Sequence, residues 1–266
     1  MACIWRERNG YGPTTVSDVL DARGLTIFLP AWNEVEGIAR AVAAATESGE
    51  ALVAAGEIGE FEVLVVDDAS TDGTGELLDG LAASDARVRV VHHAVNRRLG
   101  GAMKTGFTNA RGAFVLYTDA DLPFDLAELA KAFRLVRHYD ADIVAAYRHD
   151  RTGEGPRRVV YSYAYNSLIH WLIGLRLRDV NFAAKLIRRD VLDAIELRSE
   201  GSFIDVELLA KAQRMGFRII QFGVDYFPRT RGVSTLSSPT VIAKIIRELV
   251  ALLPEIRAAG ARVRPN

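Results

Sequence analysis

The sequence predicts an α/β protein whose mostly parallel central sheet is flanked by helices on both faces. Three observations carry this. Short apolar runs rich in β-formers alternate with segments of helical periodicity from residue 25 to about 146. Polar groups and carboxylates stand directly after several of those runs, where ligands bind in open parallel sheets. With 266 residues, 49% hydrophobic and 25% charged, the chain can fill a real core.

The elements follow in order. Residues 1–23 are polar, contain Gly and Pro, and read as a tail. Leu25 to Leu29 reads as the first strand, ended by Pro30. Asn33 to about Ala55 is Ala- and Glu-rich at helical spacing. Phe61 to Val66 is a second strand, Asp67 to Gly73 a turn, and Thr74 to Ala83 a helix. Val88 to His92 makes a third strand, and Ala102 to Ala110 a short helix behind the Gly100-Gly101 pair. Ala113 to Tyr117 is a fourth strand, Leu126 to Tyr139 a helix, and Ile143 to Ala146 a fifth strand. Beyond these, Pro156 to Leu177 is aromatic, basic and helical in pattern. Phe182 to Ile187 and Phe217 to Tyr226 read as strands, Val191 to Leu197 and Val206 to Met215 as helices, and Thr240 to Arg257 as a terminal amphipathic helix.

Bulk properties exclude several classes. A net charge of -1 supplies no global basic field for nucleic acid. Cys3 is the only cysteine, so an intrachain disulfide or a cysteine metal cage is excluded, which fits a reducing compartment. The first residues lack a signal peptide's apolar stretch, and no run approaches the roughly 18 apolar residues of a spanning helix. The expectation is a cytoplasmic chain, soluble or peripheral on the inner membrane face. The five histidines show no ligand spacing, and the His92-His93 tandem reads as ordinary strand-end and surface residues.

Chemistry concentrates at the strand ends. Asp119-Ala120-Asp121 follows the fourth strand. If that segment stays extended, the two carboxylates share a side and can hold a hard divalent cation that keeps water and phosphate oxygens as its other ligands. A solvated loop, or a helix cap by Asp121 or Asp125, is the competing reading. Asp68, after the second strand, suits the N–H donors of a nucleobase or the ribose hydroxyls, while Ser70 to Thr74 have the chemistry of a turn and cap. Pro30-Ala31-Trp32-Asn33-Glu34 follows the first strand; Asn33 can cap the next helix and Glu34 falls in its first turn. The glycine pair, before a helix, lets backbone approach another chain or a phosphate closely, and Lys104 faces either the nucleotide or solvent. There is no Walker loop and no Gly-x-Gly-x-x-Gly after the first strand.

Taken together, LPAWNE, VVDDASTDGT, NRRLGGAMKTGFTNARG and YTDADLPFDLAEL resemble the family 2 glycosyltransferases with the GT-A, Rossmann-like fold, over roughly residues 25–236. Within that family the chain is most similar to the dolichyl- or polyprenyl-phosphate sugar synthases. The resemblance implies that Pro30, Ala31, Glu34 and Asp68 hold the nucleoside, with Lys104, Ala120 and Arg148 also on the donor side. It implies that Asp119 and Asp121 manage Mg²⁺ or Mn²⁺ and the diphosphate, Asp121 as part of the catalytic set. Residues 24–150 become the nucleotide-sugar half, 151–236 the acceptor half, and 237–266 a C-terminal helix and tail. FIDVELL resembles the family helix that carries an acidic residue, here Asp205, near the reaction centre, and RTRGVSTL resembles the segment that closes over the phosphates, which implies that Arg229, also of the catalytic set, Arg231 and Ser234 reach them. Thr235 stands where a lysine is common, and Pro123 where a polar residue often follows the Asp-x-Asp.

The implied reaction is inverting transfer of a hexose from a GDP-mannose or UDP-glucose type donor to a polyprenyl or dolichyl phosphate. Asp205 acts as a base if the acceptor is a hydroxyl, and orients or tunes charge if it is a phosphate; capping its own helix is the plain alternative. Arg157, Arg158, Tyr161, Tyr163, Tyr165 and Trp171 suit a bilayer interface, with packing on the domain or on a second subunit as the alternative. A hydroxyl acceptor on a soluble glycan is the rival transferase. A sugar nucleotidyltransferase would carry a glycine-rich basic loop where this chain has PAWNE, and a non-catalytic nucleotide-sugar sensor would not need Asp119, Asp121 and Arg229 intact.

Overall fold

Alternation along the first strand sends Leu25, Ile27 and Leu29 to one face and Phe28 to the other, so β1 (Leu25–Ala31) is buried on both sides. The structure, a computed structural model, describes residues 24–149, 167–227 and 239–261, with backbone alone over 239–246 and at 261. After β1 come α1 (Ile38–Ala54), β2 (Phe61–Asp67), α2 (Thr74–Ser84), β3 (Val88–His92), α3 (Arg98–Asn109) and β4 (Phe114–Thr118). A 3-10 turn (Leu126–Glu128), capped by Asp125, leads into α4 (Leu129–Tyr139), and β5 (Ile143–Arg148) follows. A helical stretch over 167–173 precedes β6 (Ala184–Arg188), α5 (Arg189–Ala194), α6 (Ile204–Arg214), β7 (Ile219–Val224) and α7 (Pro239–Ala258).

The strands form one seven-stranded sheet in the order β3-β2-β1-β4-β6-β5-β7. β6 runs antiparallel to both its neighbours, and every other pairing is parallel. Strands from the second half of the chain therefore complete the sheet that the first half begins. One core layer, with Ile38, Leu78 and Phe133, packs α1, α2 and α4 on one face; the other, with Phe107, Leu208 and Leu249, packs α3, α6 and α7 on the opposite face. Because β2, β1 and β4 are adjacent and parallel, their carboxyl ends open on the same edge.

Several expectations give way to long-range contacts. β1 does not stop before Pro30. Its ladder to β4 covers only Leu25–Phe28, whereas its ladder to β2 continues to Ala31. Pro30 thus lies where one side of the strand is an edge, and its missing N–H is tolerated there. Asn33 does not cap α1, which starts at Ile38 behind Gly37. Instead, Asn33 N donates to Ser70 Oγ (2.9 Å), its Oδ1 accepts from Thr71 N (2.8 Å), and Glu34 N donates to Thr74 Oγ1 (2.9 Å). The loop after β1 is stapled to the loop after β2. The glycine pair sits inside α3, not before it. A Cβ at Gly100 would lie 2.4 Å from Ser199 O, so this glycine admits the 199–200 backbone rather than a phosphate.

Candidate active site

At the end of β2 both aspartates are buried and hydrogen-bonded. Asp67 Oδ2 meets His92 Nδ1 at 2.9 Å, and its Oδ1 accepts from Ser70 N at 3.1 Å. Burial pushes this carboxyl up, but the bonds from Ser70 and His92 outweigh it and leave the group below its ordinary range. Asp68 donates its N–H to Ala31 O (2.8 Å), which ties the β1 and β2 ends together. Asp68 Oδ1 contacts His93 Nδ1 at 2.6 Å and accepts the Arg97 N–H at 2.7 Å. Ser70 to Thr74 build the loop, as their turn chemistry predicts. Asp72 Oδ1 takes Thr74 Oγ1 at 2.6 Å and Asp72 Oδ2 takes Val35 N at 3.2 Å. Slight burial raises the Asp72 carboxyl, and these bonds more than reverse it.

Two strands away, the chain does not stay extended through Asp119-Ala120-Asp121. It turns, with Leu122 N bonded to Asp119 O (3.2 Å) and Leu122 at φ 52°. The carboxylates gather around Tyr117 even so. Tyr117 Oη lies 3.4 Å from Asp119 Oδ1. Full burial drives the Tyr117 hydroxyl far above its ordinary value, and the charges of Asp119, Asp205 and Asp121 push it further. Tyr117 pairs across the ladder with Lys185, whose Nζ lies 5.6 Å from the Tyr117 ring centroid, 2.6 Å from Asp205 Oδ1 and 2.7 Å from Phe182 O. Asp205 is itself buried in the first turn of α6. Burial raises its carboxyl above the ordinary range, and the Lys185 ammonium pulls part of that back.

The loops around this edge hold backbone that L-residues seldom adopt. Asn33 after β1 (φ 56°), Ala69 after β2 (φ 60°) and Leu122 after β4 (φ 52°) are all left-handed. Strained non-glycine residues of this kind persist only where the surroundings over-determine them, and they cluster at functional sites.

The other expected site residues divide. Pro30 and Ala31 end β1, with Ala31 O accepting the Asp68 N–H; Glu34 follows on the loop bonded to Thr74, and Ala120, between Asp119 and Asp121 in the chain, is buried. Lys104, on α3, is ion-paired with Glu200. Arg148, at the end of β5, grips Asp179 with Nε and Nη2, both at 2.7 Å, and its guanidinium packs over Phe182 and Tyr226. Phe227 N donates to Pro123 O (3.0 Å), which holds the chain leaving β7 against the Asp119–Asp121 turn. Arg229, Arg231, Ser234 and Thr235, like Arg157 to Tyr165, lie outside the described residues.

Four contributors were not expected from sequence: Tyr117, Lys185, His93 and Arg97. Tyr117 and Lys185 sit inside strands that read simply as core. The expectation of an ordinary surface residue is corrected for His93, whereas His92 ends β3 as expected. His93's side chain is 6% exposed and paired with Asp68, while His92, 40% exposed, bridges Asp67 and Asp79. The one available signal was the match of tandem polar pairs at the ends of two parallel strands, Asp67-Asp68 and His92-His93, with Asp67 in register with His92.

The sheet order, with helices packed on both faces, is that of a GT-A-type fold. The fold matches the glucosyl-3-phosphoglycerate synthase of Mycobacterium tuberculosis, crystallised with Mg²⁺ and uridine-diphosphate, at TM-score 0.66 and 18% identity over 92% of this chain and 85% of that one. The model for glycosyl transferase family 2 matches residues 26–196, and the chain belongs to that family. It is 36% identical over 210 residues to the glycosyltransferase AglD of Haloferax volcanii, which covers 77% of this chain and 33% of AglD. The chain thus spans about a third of that relative's length. It is 32% identical to the undecaprenyl-phosphate mannosyltransferase of Micrococcus luteus over 82% of this chain and 89% of that protein.

Proposed function

We propose that this chain transfers a hexose, with inversion, from a nucleoside diphosphate sugar to a polyprenyl phosphate. The observation that carries the reading is the meeting of Asp68 and the Asp119/Asp121 pair at one sheet edge, separated only by β1. At ordinary strand spacing β2 and β4 are about 10 Å apart there. That span suits a nucleoside at one end and its diphosphate at the other. Asp68 accepts from the base or ribose, with Pro30, Ala31 and Glu34 beside it. The relation to the Micrococcus luteus enzyme supports the choice of acceptor.

Among the described residues no three His, Cys, Asp or Glu side chains form a metal cage. Two carboxylates alone, Asp119 and Asp121, fit Mg²⁺ or Mn²⁺ whose other ligands are water and phosphate oxygens. Such an ion would offset the charge that builds on the departing diphosphate. Arg229, Arg231 and Ser234, outside the described residues, are assigned by family resemblance to the phosphates; Arg forks match phosphate oxygens. An oxygen of the acceptor phosphate attacks the anomeric carbon, and the sugar–diphosphate C–O bond breaks with its electron pair leaving on the diphosphate. The attacking oxygen is already ionised, so no base is required. The deep burial of Asp205 against Lys185 supports a positioning role for it.

A membrane-surface acceptor agrees with Trp171, 80% exposed, and Val250 on α7, 67% exposed. Arg257 on α7 reaches Leu172 O (3.4 Å), so the two helical segments adjoin. No helix among the described residues is long and apolar enough to cross a membrane. The test is to incubate the full chain with labelled GDP-mannose or UDP-glucose, Mg²⁺ or Mn²⁺, and detergent-dispersed polyprenyl phosphate. Acid-labile label in the organic phase, lost in Asp121→Asn and on chelation, is expected. Label only in a water-soluble product would overturn the acceptor, and pyrophosphate release from a nucleoside triphosphate would overturn the reaction class.

A further inference from the structure

The pairing of His93 with Asp68 has no role in the reaction scheme above. Asp68 Oδ1 is held by two short contacts, His93 Nδ1 at 2.6 Å and the Arg97 N–H at 2.7 Å. Asn96 Nδ2 donates to Asp68 O (3.1 Å), fixing the backbone of the same residue. On its far side the His93 ring meets Thr105 Oγ1 through Nε2 at 2.9 Å, and Arg97 Nη1 lies 3.5 Å from that same hydroxyl. The circuit thus runs from Asp68 through His93 and Thr105 to Arg97 and back to Asp68. It joins the end of β2 to the end of β3 and to α3.

Chemistry orders the protons in this circuit. An ionised carboxylate only accepts, so the proton between Asp68 and His93 belongs on Nδ1. On the far side, Nε2 accepts from the Thr105 hydroxyl when the ring carries one proton and donates to the Thr105 oxygen when it carries two, so the anchor holds in either form. The Thr105 oxygen in turn accepts from Arg97. With two donors on Oδ1 the Asp68 carboxylate cannot rotate freely, and Oδ2 takes no hydrogen bond among the described residues. A preset acceptor of this kind loses less freedom when a ligand arrives than a mobile one does.

We infer that His93 is a positioning residue for the donor nucleotide: anchored by Thr105, it locks the Asp68 carboxylate so that Oδ2 meets the base or ribose of a nucleoside diphosphate. The inference rests on the proposed role of Asp68. His93 touches neither the sugar nor the diphosphate, so it acts on donor affinity and leaves the chemical step alone.

The test exploits the two ring nitrogens. Asparagine places its amide nitrogen close to the Nδ1 position and keeps the donor to Asp68; glutamine reaches the Nε2 position and gives that donor up. The probes are UDP and GDP with Mg²⁺, titrated calorimetrically into the full chain, with donor KM and kcat measured in parallel. For His93→Gln we expect Kd for the preferred nucleotide and donor KM to rise roughly tenfold at nearly unchanged kcat, as for a lost bond to a charged group. His93→Asn should restore most of that affinity. Thr105→Val, which leaves Asp68 and His93 in place and removes only the second anchor, should weaken binding severalfold, and it decides the matter if the glutamine variant fails to fold. Wild-type affinity in His93→Gln, or in Thr105→Val, overturns the inference. So does equal loss in the Asn and Gln variants that merely follows their melting temperatures, because that is the mark of a structural histidine. Asp68→Asn separates the two levels: if it binds nucleotide normally, the role of Asp68 itself fails, whereas weak binding there beside normal His93→Gln sinks the present inference alone.

Discussion

Lys185 and Asp205 form an ion pair, Nζ to Oδ1 at 2.6 Å, in which the side chains are only 1% and 3% exposed. The pair packs against Tyr117, two residues before Asp119, so a buried charge couple underlies the carboxylate edge of the site. Such pairs seldom add net stability over an apolar replacement, yet breaking one strands a charge away from water.

Lys185→Met should therefore destabilise the protein by about 3–5 kcal/mol, because Asp205 is left buried without its cation. The double variant Lys185→Met/Asp205→Asn should lose less than the sum of the two single variants, by at least about 1 kcal/mol. Urea denaturation of all four proteins measures this coupling. Strict additivity would show that the two groups do not stabilise one another.

The strands and most helices were legible because burial on two faces writes long apolar runs, and turn residues punctuate them. All seven strands are marked in the sequence by such runs. The reversal of β6 is not, since nothing local in Ala184–Arg188 states which neighbours it will join. Asn33 misled because a capping side chain also bonds well across a gap, here to Thr71. The partner of Arg148, Asp179, lies 31 residues further on, a pairing that no local pattern announces. His93 is buried by α3, a tertiary event with no local signature. The placement of Asp68, Asp119 and Asp121 at one sheet edge was legible for the opposite reason: carboxylates directly after apolar strands stand out, and adjacent parallel strands bring their ends to the same edge.

The His92–Asp67 pair should leave a pH signature. The hydrogen bond to Asp67 raises the His92 imidazole above its ordinary 6.5 against the opposing effect of burial, with Asp79 adding to the rise. Its stabilising contribution is whole below that ordinary value and is lost as pH rises through the folded one. Asp67 is shifted below its ordinary 3.8, so its contribution is whole above 3.8 and is lost as pH falls through the folded value. The pair thus contributes fully between 3.8 and 6.5. The melting temperature of wild type minus that of His92→Asn should be largest near about pH 5.5 and shrink toward about pH 8. A difference that stays flat across this range would mean the contact carries no charge.

The packing of α3 against the 199–200 backbone makes opposite forecasts for two helical glycines. An added Cβ at Gly100 would lie 2.4 Å from Ser199 O and 2.5 Å from Glu200 C, backbone atoms that cannot swing aside like the end of a side chain. Gly100→Ala should push the helix off that segment and cost about 1–3 kcal/mol. The same shift would strain the Lys104–Glu200 contact. At Gly80, inside α2, an added Cβ meets nothing within 4 Å. Gly80→Ala should stabilise by up to about 1 kcal/mol through helix propensity and reduced unfolded-state freedom. Urea midpoints of the two variants should therefore move in opposite directions. If Gly100→Ala gained stability as Gly80→Ala does, the close approach of α3 to residues 199–200 would be wrong, and with it the reason for a glycine pair inside that helix.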